Sequence, residues 1–417
     1  MSETIAPPPV FNRWIPVIAG IAIQLTLGTA YIWGVFQAPV MKALNCNNAT
    51  AALTFSFLLG VLTIGSTIGG MVQDRLTPRP VIIGGGIILA LGFILASFTT
   101  KDAPQMIWLS YGVLGGFGMG TVYTTTIATC QKWFPDKRGF ITGLIVSALG
   151  FGGLVFTPIA QMWITQSGVM RTFFFFGIVF LVVCSIGAFF INNPAAGYIP
   201  AGWTPPAPKA GALHGQDFTP GEVLRTPQFY LVITALMLAT AAGMMIIPFA
   251  KVLGLARGLT PQIATTGVMV IAIFNSFGRL FWGWMSDKLG RKTTLIILTL
   301  LAGTSILFVD SSQSYMLLVY IGLVAFSYGG FLGTFPALTA DYWGVKNMGM
   351  NYGMVLLGFG IGAVASSFVV GYLKDLTNSF TMAFYIASIA AFVGCILTLM
   401  LNPPVKQVKA VEVETME

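Results

Sequence analysis

Arg279 is a charged residue inside a long apolar segment, Ile271-Ala-Ile-Phe-Asn-Ser-Phe-Gly-Arg-Leu-Phe-Trp-Gly283. A cation within the lipid core is costly, so an arginine in such a segment usually faces the protein interior and binds a partner. Its planar guanidinium matches a carboxylate through two parallel hydrogen bonds. Asn275 lies one helical turn earlier on the same face and offers an amide to a carboxylate or a hydroxyl. Together the two residues predict a site for an organic anion.

Each of these two residues also has a structural explanation. Arg279 precedes Asp287 by eight residues, which places it about 12 Å deeper in the membrane at a rise of 1.5 Å per residue. This distance is at the limit of the arginine side chain, so Arg279 could instead extend to the lipid headgroups. Asn275 could instead hydrogen-bond a neighbouring helix. The sequence leaves both alternatives open.

The remaining residues of reactive type do not form a catalytic group. His214 is the only histidine, and the four cysteines, Cys46, Cys130, Cys184 and Cys395, have no metal-ligand or redox spacing. All 13 acidic residues lie in the termini, in loops or at helix ends. We therefore predict no enzyme, no metal and no cofactor. Because no acid lies within the membrane, a transported proton would travel on the carboxyl group of the substrate.

The composition predicts that these residues are positioned by membrane helices. Apolar residues make up 56% of the 417-residue chain and charged residues 8%, whereas about 25% of the residues of soluble domains are charged. A bilayer core of ~30 Å needs ~20 apolar residues per helix. Segments of this kind recur, and we number them as helices 1 to 12: 14–36, 50–70, 80–99, 106–130, 139–163, 172–192, 228–250, 261–284, 293–309, 315–338, 351–373 and 381–401.

The twelve helices fall into two groups of six. A stretch rich in Pro, Gly and charged residues, 194–226, predicts an aqueous linker between an N-terminal bundle, 1–193, and a C-terminal bundle, 227–417. Most Lys and Arg residues outside the helices lie on the side of the termini and linker, which predicts that both termini are cytoplasmic. The net charge of +8 is spread singly over short loops, so it indicates no nucleic-acid site. The N-terminus lacks a basic signal-peptide region, and we expect a multi-pass protein of the cell (inner) membrane.

An internal repeat supports this division. The segment Gly70-Met-Val-Gln-Asp-Arg-Leu after helix 2 matches Gly283-Trp-Met-Ser-Asp-Lys-Leu after helix 8, at an offset of 213 residues. Trp133 and Gly143 recur as Trp343 and Gly353, at an offset of 210. The two halves therefore derive from one duplicated six-helix unit. The first offset places Ser66 at the position equivalent to Arg279, so the arginine is not part of the pattern shared by the halves.

The repeated motif resembles the signature of the major facilitator superfamily. Its full form is G-x-x-x-D-[RK]-x-G-[RK]-[RK], and the first copy departs from it at Thr77 and Pro78. The segments 132–139, 224–229 and 351–353, the last of these Asn-Tyr-Gly, are similar to bacterial oxalate:formate antiporters and to monocarboxylate transporters. The resemblance covers the whole chain. It implies an all-α membrane fold, in which two pseudo-symmetric six-helix bundles rock about a central cavity.

The resemblance also implies roles for particular residues. Arg279 matches the substrate arginine of the monocarboxylate transporters. Many members carry an aspartate four residues before it that takes part in proton transfer, and here that position is Asn275. The oxalate:formate antiporters place a lysine six residues after the glycine of Asn-Tyr-Gly, and here that position is Phe359. One cation balances the charge of one carboxylate, whereas a dianion would keep one unbalanced negative charge in a region of low dielectric constant. The sequence therefore favours a monocarboxylate.

Two further groups of residues are predicted. Aromatic and small polar residues are candidates for the cavity wall, although each one alone is more often a packing or interface residue. With Arg279 and Asn275, the candidate substrate-binding residues are Thr29, Tyr31, Tyr123, Tyr328, Phe331, Phe335, Phe359 and Tyr385. The repeated motifs are candidates for a cytoplasmic gate that caps helix ends and pairs the halves: Asp74, Arg75, Asp287, Lys288 and Arg291.

We expect a secondary active transporter of small monocarboxylates, of the lactate, pyruvate or acetate class, working as a proton-coupled symporter by alternating access. The alternative is an organic-anion exchanger of the oxalate:formate type. A membrane sensor would need an appended soluble domain, for which the linker is too short. The expected partners are the substrate, a proton and the bilayer, without nucleic acid, and we expect the monomer to be functional.

Overall fold

The computed structural model describes residues 12–195, 197–204, 217–377 and 379–405. Within these residues the chain is helical, without β-strands. His214, the cation Lys209 and much of the predicted linker lie outside the described residues. The predicted all-α membrane fold is confirmed.

In the part of the chain that the structure describes, twelve helices cross the bundle, and most are longer than the apolar segments that predicted them. The longer helices continue past the apolar core into the polar ends, which hydropathy alone does not detect. Their bounds are Trp14–Leu44, Asn48–Arg75, Pro78–Ala96, 108–133, 138–167, 169–190, Pro227–Ala256, Pro261–Leu289, Arg291–Ser311, Ser314–Trp343, Met348–Thr377 and Thr381–Leu399.

Ten of the described segments are long and apolar enough to cross a membrane. One of them, Arg138–Phe190, contains both helix 5 and helix 6, because its backbone departs from helical angles at Gly168. Helix 4, which has a π-helical first part, Trp108–Gly115, brings the number to twelve. The chain is therefore a multi-pass membrane protein in which helix 1 begins and helix 12 ends on the same side. We call that side the terminal face.

The connection between helices 5 and 6 differs from the prediction. The apolar segments left 164–171 as a connecting stretch, whereas the structure continues the helical backbone through it except at Gly168. Gly168 has φ 82° and ψ 161°, a combination open almost only to glycine. A single residue thus reverses the chain direction.

Glycines allow the two halves to pack closely, and they do so symmetrically. A Cβ on Gly143 of helix 5 would lie 2.4 Å from the carbonyl oxygen of Arg279 on helix 8. A Cβ on Gly353 of helix 11 would lie 2.7 Å from the carbonyl oxygen of Ser66 on helix 2. These are the repeat-related pairs, so the glycines shared by the repeats hold the crossings between the halves.

Helices 1 and 7, the first of each half, are each interrupted by a 3-10 turn. Helix 1 tightens into a 3-10 turn at Gly28–Ile32, and helix 7 does so at Ile247–Phe249. In helix 7 the interruption contains Pro248, which lacks the amide donor that a continuous helix needs. In helix 1 it places Tyr31 at the boundary between the halves, next to Arg279.

Candidate functional site

Arg279 lies between the two halves and is 1% exposed. Its Nη1 donates to the carbonyl oxygen of Val146 on helix 5 at 2.9 Å, and its Nη2 donates to the hydroxyl of Tyr31 on helix 1 at 3.1 Å. Its Nε donates to Asn275 Oδ1 at 3.2 Å, and its guanidinium carbon lies 5.3 Å from the centre of the Tyr31 ring. The side chain is therefore buried among protein groups and does not extend to the membrane surface.

Glycines of helix 10 also pack against the backbone of helix 8 at Arg279. A Cβ on Gly333 would lie 2.4 Å from the Arg279 carbonyl oxygen, and a Cβ on Gly329 would lie 2.0 Å from that of Asn275. Helix 8 is thus held between helices 5 and 10, with no room for a methyl group at these contacts. This packing fixes the depth and direction of the guanidinium.

The charge of Arg279 has no acidic partner among the described residues. The hydrogen-bond acceptors that it contacts are a carbonyl, a phenol and an amide, and the ion pairs of the described residues involve other arginines. Burying a cation among neutral partners costs free energy, and an anion in the adjacent space would balance its charge. The site is therefore suited to bind one negative charge.

A small cavity of about 30 Å³ adjoins Arg279. It is apolar apart from the guanidinium and the phenol groups of Tyr31 and Tyr123, and Phe359 closes one side. The remaining wall is aliphatic, with residues from both halves: Ala30, Leu59, Leu62, Met119, Leu149, Leu332 and Leu356. The arrangement suits a ligand with one charged end and a small apolar body.

The structure brings half of the ten candidate substrate-binding residues together: Arg279, Tyr31, Tyr123 and Phe359 line the cavity, and Asn275 contacts Arg279 without lining it. The others do not line the cavity in this arrangement. Thr29, Tyr328, Phe331 and Phe335 are buried in the helix packing nearby. Tyr385 is 50% exposed, as expected for a residue on the outer surface of helix 12.

Tyr352, the central residue of the motif Asn351-Tyr352-Gly353, is a site residue that the sequence did not predict. The Tyr352 hydroxyl lies 3.3 Å from that of Tyr123, in a buried contact that joins helix 11 to helix 4. The available signal was its repeat position, because the residue before Gly353 matches the residue before Gly143, at the crossing between the halves. The aliphatic wall was missed because Leu and Met inside a membrane helix carry no distinguishing signal.

The two repeated aspartates lie at the terminal face and each contacts the other half. Asp74, at the end of helix 2, accepts hydrogen bonds from the amides of Gly349 and Met350 at 3.1 and 2.7 Å. Asp287, at the end of helix 8, accepts from the amides of Gly139 and Phe140 at 2.9 and 2.7 Å. Each carboxylate therefore satisfies free amides at the start of a helix of the other half, where a negative charge is favoured.

An ion-pair network lies beside one of these contacts. Arg291 pairs with Asp287 at 2.7 Å and with Asp341 at 2.8 Å, both within the C-terminal half. Arg138, at the start of helix 5, pairs with Asp341 at 2.8 Å across the boundary. The other candidate gate residues, Arg75 and Lys288, are exposed, and the Lys288 ammonium lies 3.9 Å from the centre of the Trp284 ring.

The described hydrogen bonds and ion pairs that join the halves lie in the middle of the bundle or at the terminal face. The two halves are therefore closed against each other on that side. The Tyr123–Tyr352 contact lies between the cavity and the aspartate contacts of the terminal face.

Comparison with known proteins decides the family. The model of the Major Facilitator Superfamily matches residues 18–280 and 234–415. The chain belongs to the major facilitator superfamily. Among its relatives in this superfamily are an oxalate:formate antiporter of Oxalobacter formigenes, 30% identical over 95% of this chain and 94% of the relative, and monocarboxylate transporter 13 of Rattus norvegicus, 27% identical over 93% and 88%.

A solved structure of the major facilitator superfamily has the same fold. FucP, crystallised in the outward conformation, superposes with a TM-score of 0.71 over 93% of this chain and 98% of its own, at 16% identity. The prediction of two pseudo-symmetric six-helix bundles is thereby confirmed. Members of this superfamily are transporters, so the expectation that the chain is not an enzyme is also confirmed.

Proposed function

We propose that this protein is a secondary active transporter of small monocarboxylates, of the lactate, pyruvate or acetate class, and that it carries a proton with the anion. The observation that supports the proposal most directly is the buried Arg279, whose hydrogen-bond partners are all neutral. A carboxylate in the cavity would supply the missing negative charge and accept from the guanidinium. Both termini would lie in the cytoplasm, in the cell membrane.

The cavity wall supports a single carboxylate with a short apolar body. Arg279 is the one cation that lines the cavity among the described residues, and its neighbours there are aliphatic, phenolic or the ring of Phe359. A second carboxylate would face these groups without a charge partner, at a high desolvation cost. A methyl group would instead contact them favourably.

The second candidate is exchange of organic anions. The relative that favours it is the oxalate:formate antiporter, whose similarity extends over almost the whole chain. A carrier that moves only when loaded would exchange one anion for another, whereas a symporter also returns empty. A transport measurement distinguishes these two modes.

The test is uptake of radiolabelled L-lactate and acetate by purified protein in proteoliposomes. We expect an inward proton gradient to stimulate uptake into anion-free vesicles and excess unlabelled monocarboxylate to block it, while oxalate competes weakly. Arg279→Ala should abolish uptake, and the matched control Arg171→Ala, at an exposed arginine, should retain it. Uptake that needs an internal anion and ignores pH would favour exchange. Absence of uptake and of binding for these anions would refute the proposal.

A further inference from the structure

The two hydroxyls of Tyr123 and Tyr352 form a polar contact at the boundary between the halves, directly behind the cavity. Tyr123 lines the cavity from helix 4, whereas Tyr352, 1% exposed, lies behind it on helix 11. Their hydroxyl oxygens are 3.3 Å apart and either can donate. The Tyr352 hydroxyl thus reaches the cavity only through Tyr123.

The backbone of Tyr123 is fixed independently of this contact. Gln24, fully buried on helix 1, donates from Nε2 to the Tyr123 carbonyl oxygen at 3.1 Å. The aromatic ring is in turn held by the packing of helix 4, so the rotation of its O–H bond is the main freedom that is left. A hydrogen-bond partner is what sets the direction of a hydroxyl proton.

On this basis, and resting on the proposed function, we propose that Tyr352 is a positioning residue for the anion. Its hydroxyl donates to Tyr123 Oη, so that the Tyr123 O–H points into the cavity and donates to the carboxylate beside Arg279. A chain of hydrogen bonds that ends on an anion strengthens each member. The chain runs from the C-terminal half, through the N-terminal half, to the ligand.

This chain of hydrogen bonds exists only while helices 4 and 11 are in contact. They are in contact in the arrangement with a closed terminal face. When the halves rock apart on that side, Tyr352 leaves Tyr123 and the Tyr123 hydroxyl loses its orientation. The anion is therefore held more tightly in the closed arrangement than after the terminal face opens. The hydroxyl pair links anion affinity to the position of the two halves.

The test is a double-mutant cycle on purified protein, with acetate and L-lactate binding measured by calorimetry. Tyr352→Phe should weaken binding about three- to tenfold, as expected for loss of a neutral hydrogen bond. In a Tyr123→Phe background the same change should have no effect, because the chain is already broken. Tyr111→Phe is the control, since the Tyr111 hydroxyl is buried on the same helix, outside the cavity lining and without a hydrogen-bond partner among the described residues.

Sidedness provides a readout that a general structural defect would not move. In oriented proteoliposomes, Tyr352→Phe should raise the half-saturating acetate concentration on the side opposite the terminal face and should not raise it on the terminal side. Unchanged binding by folded Tyr352→Phe, additive effects of the two substitutions, or an equal rise on both sides would overturn the inference. If the unmodified protein binds neither acetate nor L-lactate, the proposed function fails instead.

Discussion

At the scale of single residues, Arg279 illustrates how far sequence reasoning reaches. A cation in an apolar segment is detectable because its neighbours in the sequence are apolar. Ser66 occupies the equivalent position in the first half, so the arginine is not shared by the two repeats. Its orientation was not detectable. It depends on the Val146 carbonyl and the Tyr31 hydroxyl, which come from helices 5 and 1 and approach only in the folded bundle.

The first prediction concerns the type of cation at position 279. Arg279→Lys keeps the charge but replaces a planar fork by a point donor, so one of two hydrogen bonds to a carboxylate is lost. Hydrogen bonds to charged groups contribute roughly 1.5–3 kcal/mol, which corresponds to about a ten- to a hundredfold loss of monocarboxylate affinity. Calorimetry with the purified variant measures this loss of affinity, and circular dichroism confirms that the variant is folded.

The control for this substitution is Arg171→Lys, at an exposed arginine. It should bind the monocarboxylate like the unmodified protein. A folded Arg279→Lys variant with near-normal affinity would show that the guanidinium geometry is not used, and the monocarboxylate proposal would lose its main support.

The second prediction concerns Phe359, which lines the cavity together with Arg279. Phe359→Lys adds a second cation to a wall that is otherwise apolar, so a dicarboxylate would gain a charge partner. We expect the variant to bind oxalate or malonate detectably. Its affinity for acetate should fall relative to its affinity for these dianions. Phe359→Met, which keeps an apolar side chain, is the control. A folded lysine variant without any gain for dianions would contradict the charge-matching argument.

At the scale of elements, the motif Asn351-Tyr352-Gly353 shows why a short motif can be recognised before its roles are known. Asn351 donates to the carbonyl oxygen of Phe218 at 3.2 Å and so ties the end of the linker to helix 11. Tyr352 contacts Tyr123, and Gly353 allows helix 2 to approach. Three neighbouring residues therefore point to three different elements, which the sequence order does not indicate.

The third prediction belongs to the reciprocal contacts at the ends of helices 2 and 8. Asp74→Ala removes two charge-assisted hydrogen bonds to the amides of Gly349 and Met350, so the terminal face should open more often. A cysteine in place of Thr67, on the helix 2 surface that meets Gly353, reports the opening. In a Cys46→Ser background its thiol labelling should accelerate at least about tenfold.

The control is Asp136→Ala, because Asp136 pairs with Arg13 within the N-terminal half at 2.8 Å. It removes an acid at the terminal face without separating the two halves, so labelling of the cysteine at position 67 should stay near its original rate. Equal acceleration by both substitutions would indicate general loosening of the bundle and not a contact specific to the gate.

At the scale of the whole molecule, the repeat predicted the fold because duplication imposes symmetry that the sequence preserves in its glycines and aspartates. Gly143 and Gly353 occupy equivalent crossings, and Asp74 and Asp287 occupy equivalent contacts with the other half. The site departs from this symmetry. The residue equivalent to Arg279 in the first half is Ser66, whose hydroxyl donates to the carbonyl oxygen of Gly120 within its own half. The symmetric contacts therefore join the two halves, whereas the candidate anion site is asymmetric.

The last prediction follows from the charge balance of the whole cavity. Arg279 is the one ionised group that lines it among the described residues, and an arginine stays cationic in proteins. With no carboxylate there to accept a proton, the proton would accompany the anion, and the loaded step would carry no net charge beyond that of the empty protein. Tracer acetate influx into proteoliposomes should therefore rise on external acidification and be insensitive to a potassium diffusion potential.

The sign of the pH effect can be separated from passive entry of undissociated acid. Arg279→Ala proteoliposomes report the passive component, because they keep the bilayer and the gradient but lack the anion-binding cation. After its subtraction, influx should still increase at low external pH, since each transported anion then finds a proton more readily. A strong dependence on the imposed potential would mean that charge crosses with the substrate. In that case the proton and the anion would not cross in a one-to-one ratio, and the electroneutral mechanism would be wrong.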